Sequence, residues 1–213
     1  MTEDIVNQPG KFSLRGTGAR DKILAVVAQN QPPQTELPDI SIFRTGAPGF
    51  VEQFVQVLTN IGGKAIQVKG WDEIASFITE NYGTARVVTP IAELANFKNI
   101  PENSTPHDLY DVELAVVKAH FGVAENGAVW VTEDNMGLRV LPFIAQHLAV
   151  VIDGGEIVRT MVEAYDRISR LPAYGFASFI AGPSKTADIE QSLVIGAHGP
   201  RSMAVFIINR IVW

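Results

Sequence analysis

From Phe50 onward the sequence alternates between two hydrophobic periods, and this alternation limits the fold more than any other feature. Phe50, Val51, Phe54, Val57 and Leu58 recur at helical spacing, with Pro48 suited to a first helical turn and Gly62-Gly63 to its end. Lys64 to Val68 reads as a short strand. Asp72 suits the cap of a second helix whose apolar positions are Ile74, Phe77 and Ile78, closed by Asn81 and Gly83. Ala85 to Val88 is the next strand, and a short helix follows near Ile91 to Phe97. Helices alternating with short strands predict parallel βαβ units with helices on both faces of a sheet.

The middle of the chain changes character. Val112 to Val117, Ala128 to Thr132 and Leu148 to Ile152 are strand-like, and Gly122, Gly127 and Gly137 punctuate the first two segments. That spacing predicts an antiparallel excursion inside the sheet. Ile157, Val158, Met161, Val162, Tyr165 and Ile168 fall on one helical face, and Phe176 to Ile180 and Met203 to Ile208 supply the last strands. The expected fold class is therefore α/β, one domain over residues 45–213 with a mainly parallel central sheet. Residues 1–44 differ: Pro9-Gly10, Gly16-Thr17-Gly18 and Gln29-Asn30-Gln31-Pro32-Pro33 are turn and linker signals around a short helical pattern (Ile23, Leu24, Val27). They read as an arm that packs on the domain or on a neighbouring subunit of a homo-oligomer.

Composition removes several function classes. The 213 residues are 46% hydrophobic and 19% charged, enough apolar material for a sizeable core. A net charge of −6 argues against a nucleic-acid or anionic-membrane partner, because no basic face offsets phosphate repulsion. No apolar stretch is long enough to span a bilayer. The acidic start, Met1-Thr2-Glu3-Asp4-Ile5, lacks a signal-peptide core and predicts a cytoplasmic protein. The chain has no cysteine, so it holds no thiolate nucleophile and no cysteine-ligated iron–sulfur cluster of its own.

Candidate chemistry gathers in two short loops of the apolar C-terminal third. In the first, Gly182, Pro183, Ser184, Lys185 and Thr186 follow an apolar strand. A glycine there lets backbone approach a ligand, and Ser184 or Thr186 can cap a following helix whose free amides, with Lys185, suit a phosphate or carboxylate. Loops at the carboxyl ends of strands are the usual binding edge of open α/β sheets. The run is not a Walker A loop, since Ser184 and Phe179 stand where that motif requires glycines. Asp188 and Glu190 add carboxylates, and Gly196-Ala197-His198-Gly199-Pro200 offers a glycine-flanked imidazole able to act as acid or base. Asp188, Glu190 and His198 lack the spacing of a metal site, so no metal is assigned. Glu125, between Gly122 and Gly127, reads either as a base or as part of an Asn126-Gly127 hairpin turn. His147 reads as a core histidine at a strand start, and His107 and His120 have no polar company in sequence. The loops at Glu125, Gly182–Glu190 and His198–Pro200 are expected to line one cleft.

Taken in order, Gly122-Val123-Ala124-Glu125-x-Gly127, Leu141-Pro142 with His147, Gly182-Pro183-Ser184-Lys185-Thr186-Ala187-Asp188-Ile189-Glu190 and Gly196-x-His198-Gly199-Pro200 resemble the LUD domain, the lactate-utilisation, LutC-like family. The resemblance covers about residues 45–209. It implies a three-layer α/β/α sandwich like that of ribose-5-phosphate isomerase, glucosamine-6-phosphate deaminase and the CoA transferases. It also implies a part in oxidising L-lactate to pyruvate beside iron–sulfur oxidoreductase subunits. On this view Gly182–Thr186, Glu190 and Gly199 bind a small anion such as lactate, pyruvate or a sugar phosphate, with Glu125, Asp188 and His198 as catalytic candidates; the cofactor is left open. The family's turn usually reads Glu-Thr-Gly followed by Thr or Ser, where this chain has Glu125-Asn126-Gly127-Ala128, and its common loop arginine is Lys185 here. The alternative is a stand-alone isomerase- or transferase-like enzyme acting on a small phosphorylated or carboxylated metabolite.

Overall fold

The computed structural model describes residues 18–44, 50–97, 100, 103–189 and 191–209, so Pro48, Glu190 and the turn signals before Gly18 lie outside the described residues. In chain order, helix α1 (Ala19–Gln29) and a 3₁₀ turn (Ser41–Arg44) precede α2 (Phe50–Asn60), strand β1 (Lys64–Val68), α3 (Trp71–Tyr82) and β2 (Val87–Val88). Two 3₁₀ segments (Ala92–Phe97 and Pro106–Leu109) lead to β3 (Leu114–Lys118), β4 (Phe121–Val123) and β5 (Ala128–Thr132). A 3₁₀ turn (Glu133–Asn135), α4 (Leu141–Ile144), β6 (His147–Asp153), another 3₁₀ turn (Gly154–Glu156), β7 (Ile157–Val158) and α5 (Met161–Ile168) follow. The last strands are β8 (Ala177–Ile180), β9 (Lys185–Ile189), β10 (Ser192–Ile195) and β11 (Ser202–Ile208).

The central sheet has the order β1-β11-β6-β3-β2, and every neighbouring pair in it is parallel. Strands β3 and β6 are near-continuous apolar runs because both of their faces are covered, the pattern expected of a parallel sheet. On one face Ile74 and Ile78 of α3 pack with Val116, Val151 and Phe206. On the other, Phe54 and Leu58 of α2 and Leu141 of α4 pack with Val117, Val150 and Val205. These layers make a three-layer α/β/α fold with a mainly parallel central sheet.

The antiparallel excursion is present but is not inside that sheet. Strands β7-β4-β5-β8 form a separate four-stranded sheet. Its Val129 and Val131 face the α2 side of the core, and Phe121, Trp130 and Phe179 pack on the opposite side with Ala164 of α5. The alternation along β4 and β5 thus serves two cores, one on each face.

Three further expectations are corrected. Ile157 and Val158 form strand β7 beside β4 rather than opening the helix; α5 starts at Met161, where the Thr160 side chain accepts from the Glu163 amide at 3.3 Å. Asp72 lies in the first turn of α3 instead of capping it, and Glu73 reaches back to accept from the Lys69 amide at 3.1 Å. Most consequential for function, no helix follows Ser184. Residues from Lys185 are β9, paired antiparallel with β10 (Thr186 opposite Val194, Lys185 opposite Ile195). Pairing with β10 and the Asp188 amide's bond to Thr186 Oγ1 therefore occupy amides that a helix start would have left free.

The chain divides into two units between Asp39 and Ile40, so the Ser41–Arg44 turn goes with the second. In the first unit α1 buries no residue, and the side-chain amides of Asn30 and Gln31 donate to the carbonyls of Val26 and Val27 at its end. Among the described residues no helix is long and apolar enough to cross a membrane.

Candidate functional site

Parallel strands end together, and in this sheet the carboxyl ends of β3, β6 and β11 open onto one cleft of about 500 Å³. Lys118 closes β3, Asp153 closes β6 and Ile208 closes β11, and all three line the cleft. Trp71 from the start of α3, Glu93, His120, Asn135 and Glu156 complete its polar and aromatic wall. Open α/β sheets collect ligands at this edge because the loops leaving adjacent strands diverge there.

The charges of the cleft are unequal in availability. Glu156 is paired with the Arg167 guanidinium. Asp153 accepts from the Gly155 amide at 2.9 Å and so caps the turn that follows β6. Lys118 is exposed and has no ion-pair partner among the described residues. Two of the three carboxylates are thus already engaged, which leaves Lys118 and Glu93 as the charged groups of the cleft without a partner among the described residues, and of these the lysine is the one able to meet an anion.

His120 stands two residues beyond Lys118. Its Nε2 lies 2.7 Å from the Thr132 hydroxyl and 3.3 Å from the Asn135 side-chain amide. Burial holds its pKa below the ordinary value of 6.5; Arg167 and Lys118 push the same way and Asp134 opposes them. The imidazole is therefore neutral at neutral pH. Sequence reasoning set His120 aside because its polar partners lie 12 and 15 positions away. Its place just past an apolar strand, next to a lysine, was the signal available.

The loops singled out in sequence lie at the other edge. Pro200 and Arg201 lead into the start of β11, and Gly62-Gly63 lead into the start of β1. Gly182 does follow the carboxyl end of β8, but β8 runs antiparallel to β5 and is not in the central sheet, so the edge rule for parallel strands does not apply to it. The two loops are brought together. The Ser184 amide donates to the Pro200 carbonyl at 2.9 Å, its hydroxyl to the His198 carbonyl at 2.8 Å, and its own carbonyl accepts from Gly196 at 3.0 Å. A Cβ on Gly199 would stand 3.1 Å from that of Ser184. Buried Gly182 and Pro183 abut the end of α2, and the Lys185 ammonium donates to the Ile61 carbonyl. Thr186 Oγ1 accepts from the Asp188 amide at 3.2 Å within β9.

The Glu125 turn comes to the same end of α2 as the Gly182 loop: a Cβ on Gly127 would stand 3.3 Å from Ile61 Cδ1 and one on Gly182 3.4 Å from the same atom. Glu125 accepts from the Met161 amide at 2.7 Å and so caps α5, while Asn126 and Gly127 make the hairpin turn, with Asn126 Oδ1 accepting from Ala128 at 3.0 Å. Asp188 and His198 are exposed, and among the described residues no group of three His, Asp or Glu side chains is close enough to hold a metal ion. His147 sits at the start of β6, with Nδ1 2.6 Å from Ser202 Oγ and Nε2 3.4 Å from Glu113, as a hydrogen-bonded strand-start histidine should.

Comparison with known proteins agrees with this architecture. The sequence profile of the LUD domain matches residues 94–208. Lactate utilization protein C of Bacillus pumilus is 33% identical over 100 residues, covering 45% of this chain and 42% of that protein. Lactate utilization protein C of Shouchella clausii is 29% identical over 101 residues, covering 46% of this chain and 44% of the relative. The chain thus matches less than half the length of these curated relatives. The crystal structure of a DUF162-family protein from Deinococcus radiodurans shares the fold, with a TM-score of 0.53 at 18% identity over 75% of this chain and 96% of that one. With the profile spanning more than half of its residues, this chain belongs to the LUD-domain family.

Proposed function

We propose that the protein takes part in lactate utilisation by holding a small carboxylate metabolite, lactate or pyruvate, in the cleft at the carboxyl edge of the central sheet. One observation carries the site: Lys118 and neutral His120 line the same cleft while Asp153 and Glu156 are engaged elsewhere. A lysine ammonium attracts the carboxylate, and a neutral imidazole adds a hydrogen bond to it. The names of the relatives support lactate as the metabolite. With no cysteine in the chain, electrons leaving lactate pass to iron–sulfur partner subunits in the cytoplasm rather than to a cluster held here.

The Gly182–Thr186 loop is the competing location, and one experiment separates the two. Calorimetric titration with lactate, pyruvate and a sugar phosphate is made on the wild type, Lys118→Ala and Lys185→Ala. The expected result is carboxylate binding by wild type and Lys185→Ala, weakened about tenfold or more in Lys118→Ala, the loss of one charge-assisted contact. Weakening confined to Lys185→Ala moves the site to the amino edge. No binding by the wild type overturns the small-carboxylate reading.

A further inference from the structure

The two groups against His120 Nε2 are both donors that have little else to do. Thr132 is 3% exposed, and among the described residues its hydroxyl has no hydrogen-bond partner except His120. A buried hydroxyl left without an acceptor is costly, so its proton belongs on Nε2. The Asn135 contact comes from its side-chain nitrogen, which can only donate. Nε2, with its one lone pair, therefore accepts from the Thr132 hydroxyl at 2.7 Å, with the Asn135 amide farther off at 3.3 Å, and a neutral ring that accepts at Nε2 carries its proton at Nδ1. Nδ1 makes no hydrogen bond to a described residue. The ring is only half-buried, and His120 lines the cleft.

We infer that Thr132 and Asn135 are positioning residues that lock His120 in the Nδ1-protonated tautomer, making it a fixed hydrogen-bond donor to a ligand oxygen. This rests on the carboxylate reading of the cleft and narrows it. His120 cannot take a proton from a bound hydroxyl through Nδ1, since that nitrogen already holds one, and Nε2 is occupied. The cleft then presents two donors, the Lys118 ammonium and His120 Nδ1–H, to the same oxyanion. It selects ligands by an acceptor oxygen, and lactate and pyruvate share that feature in their carboxylates.

The chain has four histidines, so the ring nitrogens can be followed individually by long-range ¹H–¹⁵N correlation in ¹⁵N-histidine-labelled protein, with His120→Gln giving the assignment. In ligand-free wild type at pH 7.5, His120 should show a protonated Nδ1 and an unprotonated Nε2. Thr132→Val should mix the tautomers and weaken pyruvate binding about fivefold, the equivalent of one neutral hydrogen bond, while Thr132→Ser restores both. A protonated Nε2 in the wild type overturns the inference whatever the protein binds. Pyruvate binding seen by calorimetry without a change in the His120 Nδ1 resonance also overturns it and leaves the functional reading standing. Absence of binding, with the Nδ1 tautomer present, overturns the functional reading and with it the donor role.

Discussion

The ammonium of Lys185 donates to the carbonyl of Ile61, 124 positions earlier in the chain, and so closes the end of α2 with a group from the first residue of β9. Gly182 meets the same carbonyl: a Cβ there would stand 2.9 Å from Ile61 O, on a backbone with φ of +72°. The family-like loop is therefore a clamp between α2 and the β9–β10 hairpin. Its glycine is required by space and by φ, and its lysine is a replaceable donor.

That difference is measurable by urea denaturation. Gly182→Ala should cost about 1–3 kcal/mol, because a left-handed backbone and a backbone contact are both violated. Lys185→Ala should cost about 1 kcal/mol or less, one exposed hydrogen bond. Equal costs would mean that the ammonium holds the clamp as much as the glycine does.

Glu125 links the β4–β5 turn to α5 through the Met161 amide. A carboxylate on that amide satisfies an orphan donor and complements the helix dipole. Glu125→Ala should lower stability by about 0.5–2 kcal/mol, with Glu125→Gln recovering part of the loss and neither changing pyruvate affinity in calorimetry. A variant that keeps full stability but loses ligand affinity would return Glu125 to the list of binding residues.

His120 makes stability pH-dependent in a definite direction. Its folded-state pKa lies below the ordinary 6.5, so the unfolded chain binds the proton more readily. The contribution of this group is fully present above pH 6.5 and is lost as pH falls from there through the folded pKa. In denaturation series from pH 8 to pH 5, the wild type should lose stability toward acid more steeply than His120→Gln. Parallel curves would show that burial of His120 does not disfavour its charged form.

Much of the fold was legible because it depends on local pattern. The β1 segment Lys64–Val68 falls where the sequence puts it, and α3 stops before Gly83, whose amide makes a last helical hydrogen bond to the Thr79 carbonyl and whose φ of +46° turns the chain out of the helix. The parallel sheet follows from helices alternating with runs such as Leu148–Ile152, apolar throughout because both faces are covered. Even Asn126-Gly127 behaves as a hairpin turn of its own accord, with Gly127 at φ of +69°.

Pairing decided the rest. Lys185 to Ile189 carries as many signals for a helix start as for a strand, and it is extended because β10 returns beside it. Gly182 follows a strand end in sequence, but only the antiparallel pairing of β8 with β5 sets that end at the amino edge of the main sheet. His120 is flanked in sequence by Ala119 and Phe121, yet the turn of the chain through β4 and β5 carries Thr132 and Asn135 back to its ring. Periodicity is a property of a few consecutive residues, and it names the elements of this protein. Strand direction and cross-chain hydrogen bonds are properties of the assembled sheet, and they determine which loops share an edge and where its polar groups meet.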